Sequence, residues 1–493
     1  MRTAGVAFVT ATATAAALTP IVRHLARRWG LLDHALSSRK VHGRPIPRLG
    51  GIAIVLAFLA PLVALYFVDS EVGRRFWAEP AHAVGLLAGG ATIALLGVFD
   101  DLRGSGALIK FVVQFGVAAL MYWVGFRIDF IYLPFVGGNI DLGFLALPFT
   151  MLWIAGVVNA MNLIDGLDGL AGGVAFIAVA TTFVIAGFQG DPLMLLFTGT
   201  LAGAVLGFLF YNFNPATIFM GDTGSMFLGF VLATTAIQTN HKSSTAVALA
   251  VPIIALGVPI ADTLLAVVRR ALRGAPIFSA DRGHIHHRLL ALGLSQRQAV
   301  IVLYAACAGL GAVALAMSFA SRVQAVWYLT GLFAVAAVAL WKLGYFRWSS
   351  AQRLLGERKR NAEMRGAVKR VGDALRTAET EPELWHALRQ GAQAVGASAV
   401  WLRDEDRAEA AIMGFGLGLD PASDRLSARF SLLGERPGAK DLILTWEDGR
   451  SEVDRDTELA VETLCQHLAF ALDRVEVEHT GRFRIDQQKM GSA

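Results

Sequence analysis

Cysteine is nearly missing from this sequence: Cys307 and Cys465 are the two in 493 residues. One falls in a long apolar run and the other in a polar C-terminal part, so neither a structural disulfide nor a thiolate metal centre is expected. Charge is scarce too. Asp, Glu, Lys and Arg make up 17% of the residues against 55% hydrophobic ones, and the mean hydropathy is +0.53. That balance takes the chain out of ordinary soluble composition and into the membrane class. The formal net charge of +5 is small and is mostly explained by basic loops between apolar runs, so it gives no argument for a nucleic-acid partner.

What the chain has instead is apolar length, nearly all of it before residue 346. Crossing about 30 Å of hydrocarbon takes roughly 20 apolar residues of helix. Windows of that kind occur at 3–22, 49–68, 82–99, 109–125, 145–164, 170–188, 193–211, 223–239, 245–268, 298–319 and 325–345. They predict an α-helical polytopic membrane protein with about eleven transmembrane helices. The first window resembles a signal peptide in its small residues, but its strongest positive charge follows the apolar run, so it reads as a membrane helix. Arg23, Arg27, Arg28, Arg39, Lys40, Arg44 and Arg48 follow the first window, and Arg269, Arg270, Arg273, Arg282, Arg288 and Arg297 follow the ninth. Basic loops face the cytoplasm, which puts the N-terminus outside and the C-terminal part inside. Between the fourth and fifth windows, Ile128 to Pro148 is too short to cross, and alternation around Gly137-Gly138-Asn139 predicts a short external β-hairpin.

Polar residues interrupt this pattern in four clusters. Asn159, Asn162, Asp165 and Asp168 recur three residues apart at the end of the fifth window, so they stack along one side of a helix. Ionisable groups at membrane depth are expensive and face a bundle interior or a water-filled cavity; the plain alternative is that one carboxylate only caps the next helix. The third window ends in Asp100-Asp101, with Lys110 and Gln114 just beyond. The seventh ends in Asn212-Phe213-Asn214-Pro215 and continues to Gly221-Asp222-Thr223-Gly224-Ser225, where Asp222 or Thr223 also suits an N-cap. After the ninth window comes Asp281-Arg282-Gly283-His284-Ile285-His286-His287-Arg288. Its three histidines could chelate zinc, but the neighbouring Asp and Arg fit a diphosphate better. Asp262, within the ninth window, reads as a candidate ion pair with a basic neighbour. A basic loop with Lys40 and Arg48 around two prolines is either a phosphate clamp or a headgroup contact.

All four clusters fall on one predicted membrane face. Carboxylates and amides without thiols suit a hard, octahedral Mg²⁺ or Mn²⁺ that takes phosphate oxygens as further ligands. The residues therefore point to metal-dependent phosphoryl transfer at the cytoplasmic membrane surface. Two other classes fit parts of the pattern. A transporter or flippase would use buried carboxylates, but near the bilayer midplane in paired broken helices. A membrane sensor signalling through its C-terminal domain would leave the four clusters without a purpose.

Asp100-Asp101, Asn159 to Gly173, Asn212 to Gly229 and the His-Ile-His-His loop together resemble the polyprenyl-phosphate N-acetylhexosamine-1-phosphate transferases, glycosyltransferase family 4. The resemblance covers about residues 1–345, and the His284 to Arg288 form looks closer to the undecaprenyl-phosphate GlcNAc-1-phosphate transferase branch than to the peptidoglycan branch, which has a run of three histidines. It implies attack by undecaprenyl phosphate on the β-phosphate of a cytoplasmic UDP-N-acetylhexosamine, with release of UMP, in the bacterial cytoplasmic membrane. It implies Asp222 as magnesium ligand with Asn162 and Asp165 completing or orienting the site, and Asp100 and Asp101 as the family's debated catalytic pair. Arg282, His284, His286, His287 and Arg288 would contact the nucleotide diphosphate, with Asp281 beside them. Lys40, Arg48 and Lys110 are further phosphate candidates, Asn212 is a further substrate-binding candidate, and Asn159 and Asp168 would serve the nucleotide or hold the turn.

Composition changes at residue 346. A basic juxtamembrane helix or linker is expected over 346–361, a cytoplasmic α/β domain over 362–478 and a disordered tail over 479–493. Helices are expected at Ala362 to Thr377 and Glu381 to Val395, strands at Ala397 to Arg403, Ala428 to Leu433 and Asp441 to Trp446, and a last helix from Asp454 to Val475. This order resembles a GAF-type sensory domain. No catalytic constellation occurs there, since His386 and Cys465 stand alone. A regulatory ligand or protein at this domain and a homodimer are the remaining candidate partners.

Overall fold

The computed structural model of the chain describes residues 2–33, 45–78, 80–133, 138–242, 250–273, 283–343, 348–404, 412–415, 426–432, 440–449, 453–454 and 456–472. The chain divides into two compact units, one of residues 1–267 and 281–345 and one of residues 268–280 and 346–493.

The first unit is built from α1 (Arg2–Arg28), α2 (Gly51–Phe67), α3 (Glu71–Ala78), α4 (Pro80–Arg103), α5 (Ala107–Trp123), α6 (Ala146–Ile164), α7 (Leu170–Gln189), α8 (Pro192–Asn212), α9 (Gly221–Lys242), α10 (Ala250–Ala255), the part of α11 (Gly257–Arg273) up to Val267, α12 (Ile285–Ala291), α13 (Gln296–Met317) and α14 (Arg322–Lys342). Their starts are written locally. Asp191 caps α8 by accepting the Leu193 and Met194 N–H groups ahead of Pro192, and Ser295 with Gln298 and Ser321 with Gln324 form capping boxes on α13 and α14.

Helix is present at every one of the eleven apolar windows, the ninth being split between α10 and α11 with residues 245–249 outside the described set. Among the described residues, seven helices are long and apolar enough to cross a membrane, or eight if the α2–α3 pair, bent by 100°, counts as one span. The expected count of eleven is therefore higher than length and apolarity support. The difference has a physical source. α5 has 17 residues, and α9 carries Thr223, Ser225, Thr234 and Thr235 but is buried throughout residues 223–237. The Thr234 and Thr235 hydroxyls bond to carbonyls of the preceding turn, so a central helix need not be uniformly apolar.

Close helix contacts set the bundle. A Cβ on Gly203 would stand 2.2 Å from the Phe8 carbonyl oxygen, and one on Gly207 2.4 Å from that of Thr12. With the small face of Ala4, Ala7, Ala11 and Ala15 opposite, α1 and α8 approach backbone to backbone, the packing that small residues allow when lipid offers no hydrophobic drive between helices. The core proper gathers Ile93, Ile154, Val158, Met161, Phe208, Phe227 and Phe230.

The short strands β1 (Leu32–Asp33) and β2 (Ile46–Pro47) pair antiparallel. The expected hairpin is present as β3 (Phe130–Leu133) paired with β4 (Gly138–Asp141). Its connection covers residues 134–137, earlier than the Gly-Gly-Asn position, because Gly138 and Asn139 are already paired in β4.

In the second unit, α15 (Trp348–Thr377) runs unbroken through the expected linker and first helix, followed by α16 (Glu381–Ala394). β5 (Ala399–Asp404), β6 (Ile412–Phe415), β7 (Leu426–Leu432) and β8 (Lys440–Trp446) form an antiparallel sheet in the order β6-β5-β8-β7, and residues 456–472 form a last helix. β6 escapes sequence reading because its four residues include Gly414 and no alternation. Val400, Leu402, Leu442 and Leu444 pack with Leu375, Leu388, Val461, Leu464 and Leu468 of the helices. Burial pushes the Cys465 thiol up to about 12, so it is an inert core residue. The expected tail over 479–493 lies outside the described residues.

Candidate functional site

The site is assembled where the end of α4 meets the start of α9. A Cβ on Gly97 would come within 2.4 Å of the Thr223 Cα, so the two backbones touch. One turn further along α4, Asp101 accepts hydrogen bonds from the Asp222 N–H (2.9 Å), the Thr223 N–H (3.0 Å) and the Thr223 hydroxyl (2.7 Å). The first amides of a helix have no partner inside it and carry its positive dipole end. Asp101 supplies that partner from another helix, so the cap expected of Asp222 or Thr223 is provided by α4. Gly221 has φ +68° and a Cβ there would lie 2.5 Å from an Asp101 carboxylate oxygen, which leaves glycine as the residue that fits.

Asp100 points elsewhere, because adjacent helical residues diverge by about 100°. It accepts the Ser105 N–H at 2.7 Å and pairs with Lys110 Nζ at 2.8 Å. The same ammonium lies 2.6 Å from Asp222 Oδ2. The aspartate pair thus separates into a cap, Asp101, and a member of an Asp100–Lys110–Asp222 cluster.

The polar stripe on α6 separates in the same way. Asn159 donates to Gln114 of α5 (2.6 Å) and to the Ala155 carbonyl. Asn162 donates to Ser225 Oγ of α9 at 3.0 Å. Asp168 accepts from Asn214 Nδ2 (3.0 Å) and the Ala216 N–H (2.9 Å), which ties it to the turn after α8. Asn212 is buried and donates to the Ile218 carbonyl, so it braces that turn too. Asp165, at the C-terminal end of α6, has no basic side chain paired with it among the described residues. Its carboxyl is raised to about 8 by burial and then by the charges of Asp222, Asp101 and Asp168.

Residues 47–51 are stitched to the loop before Asp222. The Gly50 and Gly51 N–H groups donate to the Phe219 and Met220 carbonyls, and Phe219 N–H donates to the Pro47 carbonyl. A Cβ on Gly51 would stand 2.1 Å from the Gly224 nitrogen. This pairing brings Arg48 close enough to act electrostatically on Asp101. Lys40 lies outside the described residues, as do Asp281 and Arg282.

The histidines reach the same end of the bundle through α12. His284 Nδ1 lies 2.8 Å from Asp262 Oδ2, so Asp262 pairs with a histidine and not with a neighbouring arginine. The His286 ring stacks on His284 at 5.7 Å and packs against Gly166, where a Cβ would meet its Nε2 at 2.7 Å. His287 is 4.4 Å from His286, and Arg288 donates to the Leu343 carbonyl at 2.8 Å. Tyr304 of α13 donates to the Gly169 carbonyl, fixing the turn between Asp165 and α7. Gly166 and Tyr304 carry no sequence signal of a role here, since each acts through its backbone or through a long-range contact.

Burial lowers His286 to about 4, so it is neutral at pH 7. A histidine whose folded pKa is depressed disfavours protonation in the fold, so its contribution is present above the unfolded value of about 6.5 and lost as pH falls toward 4. Stability of the parent, read as thermal midpoint in detergent, should drop across pH 6.5 to 4 by an amount on the order of 2–3 kcal/mol from this residue. His286→Phe should flatten that dependence; an unchanged slope would refute the assignment.

Among the described residues no three His, Cys, Asp or Glu side chains converge as a ready metal cage. The donor set fits Mg²⁺ nonetheless, because that ion takes one or two carboxylates and keeps waters and phosphate oxygens for the remainder. Asp222 lies on the first turn of α9, and Asn162 of α6 reaches Ser225 on that same turn, so a carboxylate and an amide are available from two helices.

Residues 83–240 match the family described as glycosyl transferase family 4. The chain is 42% identical over 299 residues, 61% of this chain and 80% of the relative, to a Bacillus subtilis protein named "Probable undecaprenyl-phosphate N-acetylglucosaminyl 1-phosphate transferase". It is 38% identical over 306 residues, 57% of this chain and 74% of the relative, to the decaprenyl-phosphate N-acetylglucosaminephosphotransferase of Mycobacterium tuberculosis. A phospho-N-acetylmuramoyl-pentapeptide-transferase of Listeria innocua is 34% identical over 207 residues, 40% of this chain and 62% of that protein. The matched segment contains Asp100, Lys110, Asn162, Asp165 and Asp222, and with this similarity and the many apolar helices the chain belongs to glycosyl transferase family 4, as a multi-pass membrane protein.

Proposed function

We propose that the protein transfers N-acetylhexosamine-1-phosphate, specifically GlcNAc-1-phosphate, from its UDP-sugar to undecaprenyl phosphate and so starts a lipid-linked cell-envelope polysaccharide. The observation that carries this reading is the Asp100–Lys110–Asp222 cluster. It lies in the family segment, beside a histidine loop that packs on the residue after Asp165. Relatives named for N-acetylglucosamine support the choice of sugar. In the reaction an oxygen of the lipid phosphate forms a bond to the β-phosphorus, the bridge to the α-phosphate breaks, and UMP leaves with the electron pair.

A phosphate monoester has its second pKa near 6, so the nucleophile is already mostly dianionic at pH 7 and a base gains little. Positioning and charge neutralisation are the work that remains. Asp222 with Asn162 would hold a Mg²⁺ or Mn²⁺, which when bound would supply Lewis-acid neutralisation of phosphate oxygens. Lys110 donates to a phosphate oxygen from beside Asp222, Asp100 holds the Lys110 ammonium in place, and Arg48 adds positive charge. His284, His286 and His287 bound the nucleotide end, with Asp281, Arg282 and Arg288. The active site and the GAF-like C-terminal domain face the cytoplasm in the bacterial inner membrane, and the C-terminal domain tunes transfer.

A panel of UDP-sugars with undecaprenyl phosphate and Mg²⁺, followed by UMP release, tests the reading. UDP-GlcNAc should be used at least about tenfold better than UDP-GalNAc, a discrimination within the reach of one or two hydrogen bonds. Because one phosphoanhydride is exchanged for another, labelled UMP should also exchange into UDP-sugar when lipid product is present. No UMP release with any of these donors would overturn the proposal.

A further inference from the structure

Asp262 belongs to none of the four polar clusters, yet it is 2% exposed and both of its oxygens are engaged by the histidine loop. Oδ2 takes His284 Nδ1 and Oδ1 takes the Ile285 N–H, each at 2.8 Å. A carboxylate only accepts, so Nδ1 of His284 carries the proton and Nε2 is the nitrogen left to reach outward. His284 is itself 5% exposed and precedes α12 without using its side chain as a cap. That task falls to Asp262, from 22 residues earlier in the chain.

The order imposed on His284 travels. Its ring stacks on His286 with planes 8° apart. His286 is buried, has no hydrogen-bond partner for Nδ1 among the described residues and packs against Gly166. Stacking and one backbone contact place a ring only as well as its neighbour is placed. Among the described residues, the polar side chain that anchors these two histidines is therefore Asp262 on α11.

We infer that Asp262 is a positioning residue for the nucleotide sugar: by holding His284 and the first turn of α12 it sets the histidine stack against the turn that follows Asp165. The inference rests on the proposed function for its substrate, but its geometry does not. A carboxylate that merely filled space would be replaceable by any side chain of like volume. One that aims His284 acts through His284 alone, and the two residues are then strongly coupled.

Three measurements on the full chain in detergent test this. Carbethoxylation of His284 and His286 by diethyl pyrocarbonate, read by mass spectrometry, should be about fivefold faster or more in Asp262→Ala than in the parent, as expected when a buried anchor is lost. This readout needs no substrate, so it stands even if the parent proves to release no UMP. With UDP-GlcNAc, Asp262→Ala should raise KM about tenfold, while KM for undecaprenyl phosphate stays within about twofold. In a His284→Ala background the same substitution should add less than about a twofold further loss. Should Asp262→Ala fail to fold, Asp262→Asn keeps the shape and the Ile285 acceptor but presents a donor to His284, and the same three readouts apply with the same signs. Unchanged histidine reactivity, an equal rise in both KM values, or losses that multiply in the double variant would each overturn the inference.

Discussion

Asp222→Asn is expected to lower UMP release by about 10²–10³-fold with little change in thermal midpoint. The size is that of removing one preorganised charge partner from a phosphoryl or acyl transfer site. The fold should survive because the groups that hold the start of α9 are the Asp222 and Thr223 N–H groups bonded to Asp101, and a change of side chain at 222 leaves those amides in place. What is lost is the anion that faces Lys110 at 2.6 Å and, in the proposed reaction, the principal metal ligand. Titration with Mn²⁺ by electron paramagnetic resonance separates the two consequences: the variant should bind the ion at least about tenfold more weakly, as when one ligand of a small set is removed. Equal Mn²⁺ affinity in parent and variant would exclude Asp222 as a ligand, whatever the activity.

Asp101→Ala should act in the opposite sense, through stability first. It deletes the acceptor of three hydrogen bonds at a helix start, and loss of a cap with its charge-assisted bonds costs about 2–3 kcal/mol. The thermal midpoint should fall, and activity should fall with it because Asp222 is no longer fixed. Asp101→Asn retains one oxygen as acceptor and should recover a good part of both. Asp100→Asn provides the contrast. Its carboxylate holds Lys110 and Ser105, so activity should drop by about 10–100-fold with the midpoint near that of the parent and the pH profile little changed. If Asp100→Asn activity were largely recovered at high pH, a general-base role would replace positioning. If Asp101→Ala kept its midpoint and lost activity alone, the cap assignment would fail.

How far these roles could be read beforehand differs from residue to residue. Asp100 and Asp101 are adjacent and chemically identical, and only a helix that ends against another helix turns one into a cap and the other into a lysine partner. The same holds for the stripe. A spacing of three residues puts Asn159, Asn162, Asp165 and Asp168 near one face, but not which neighbour each will meet. Gln114, Ser225 and Asn214 come from three other elements. Asp262 was legible as a buried charge in want of a partner, and His284 as a member of a loop; their pairing across 22 residues was not. α9 shows the reverse problem, a central helix whose threonines and serine lower its hydropathy because helices, and not lipid, surround it.

By itself the sequence determined the helical membrane class, the positions of the helices, the family and the set of polar residues. These follow from local properties: apolar length matched to the bilayer, capping residues at helix starts, and motifs short enough to be contiguous. The tertiary structure alone decided which aspartate caps and which joins Lys110, which members of the stripe brace turns, and which carboxylate anchors the histidines. Those outcomes depend on the direction each side chain takes when helices distant in sequence pack within a few ångströms, and no local pattern encodes that direction.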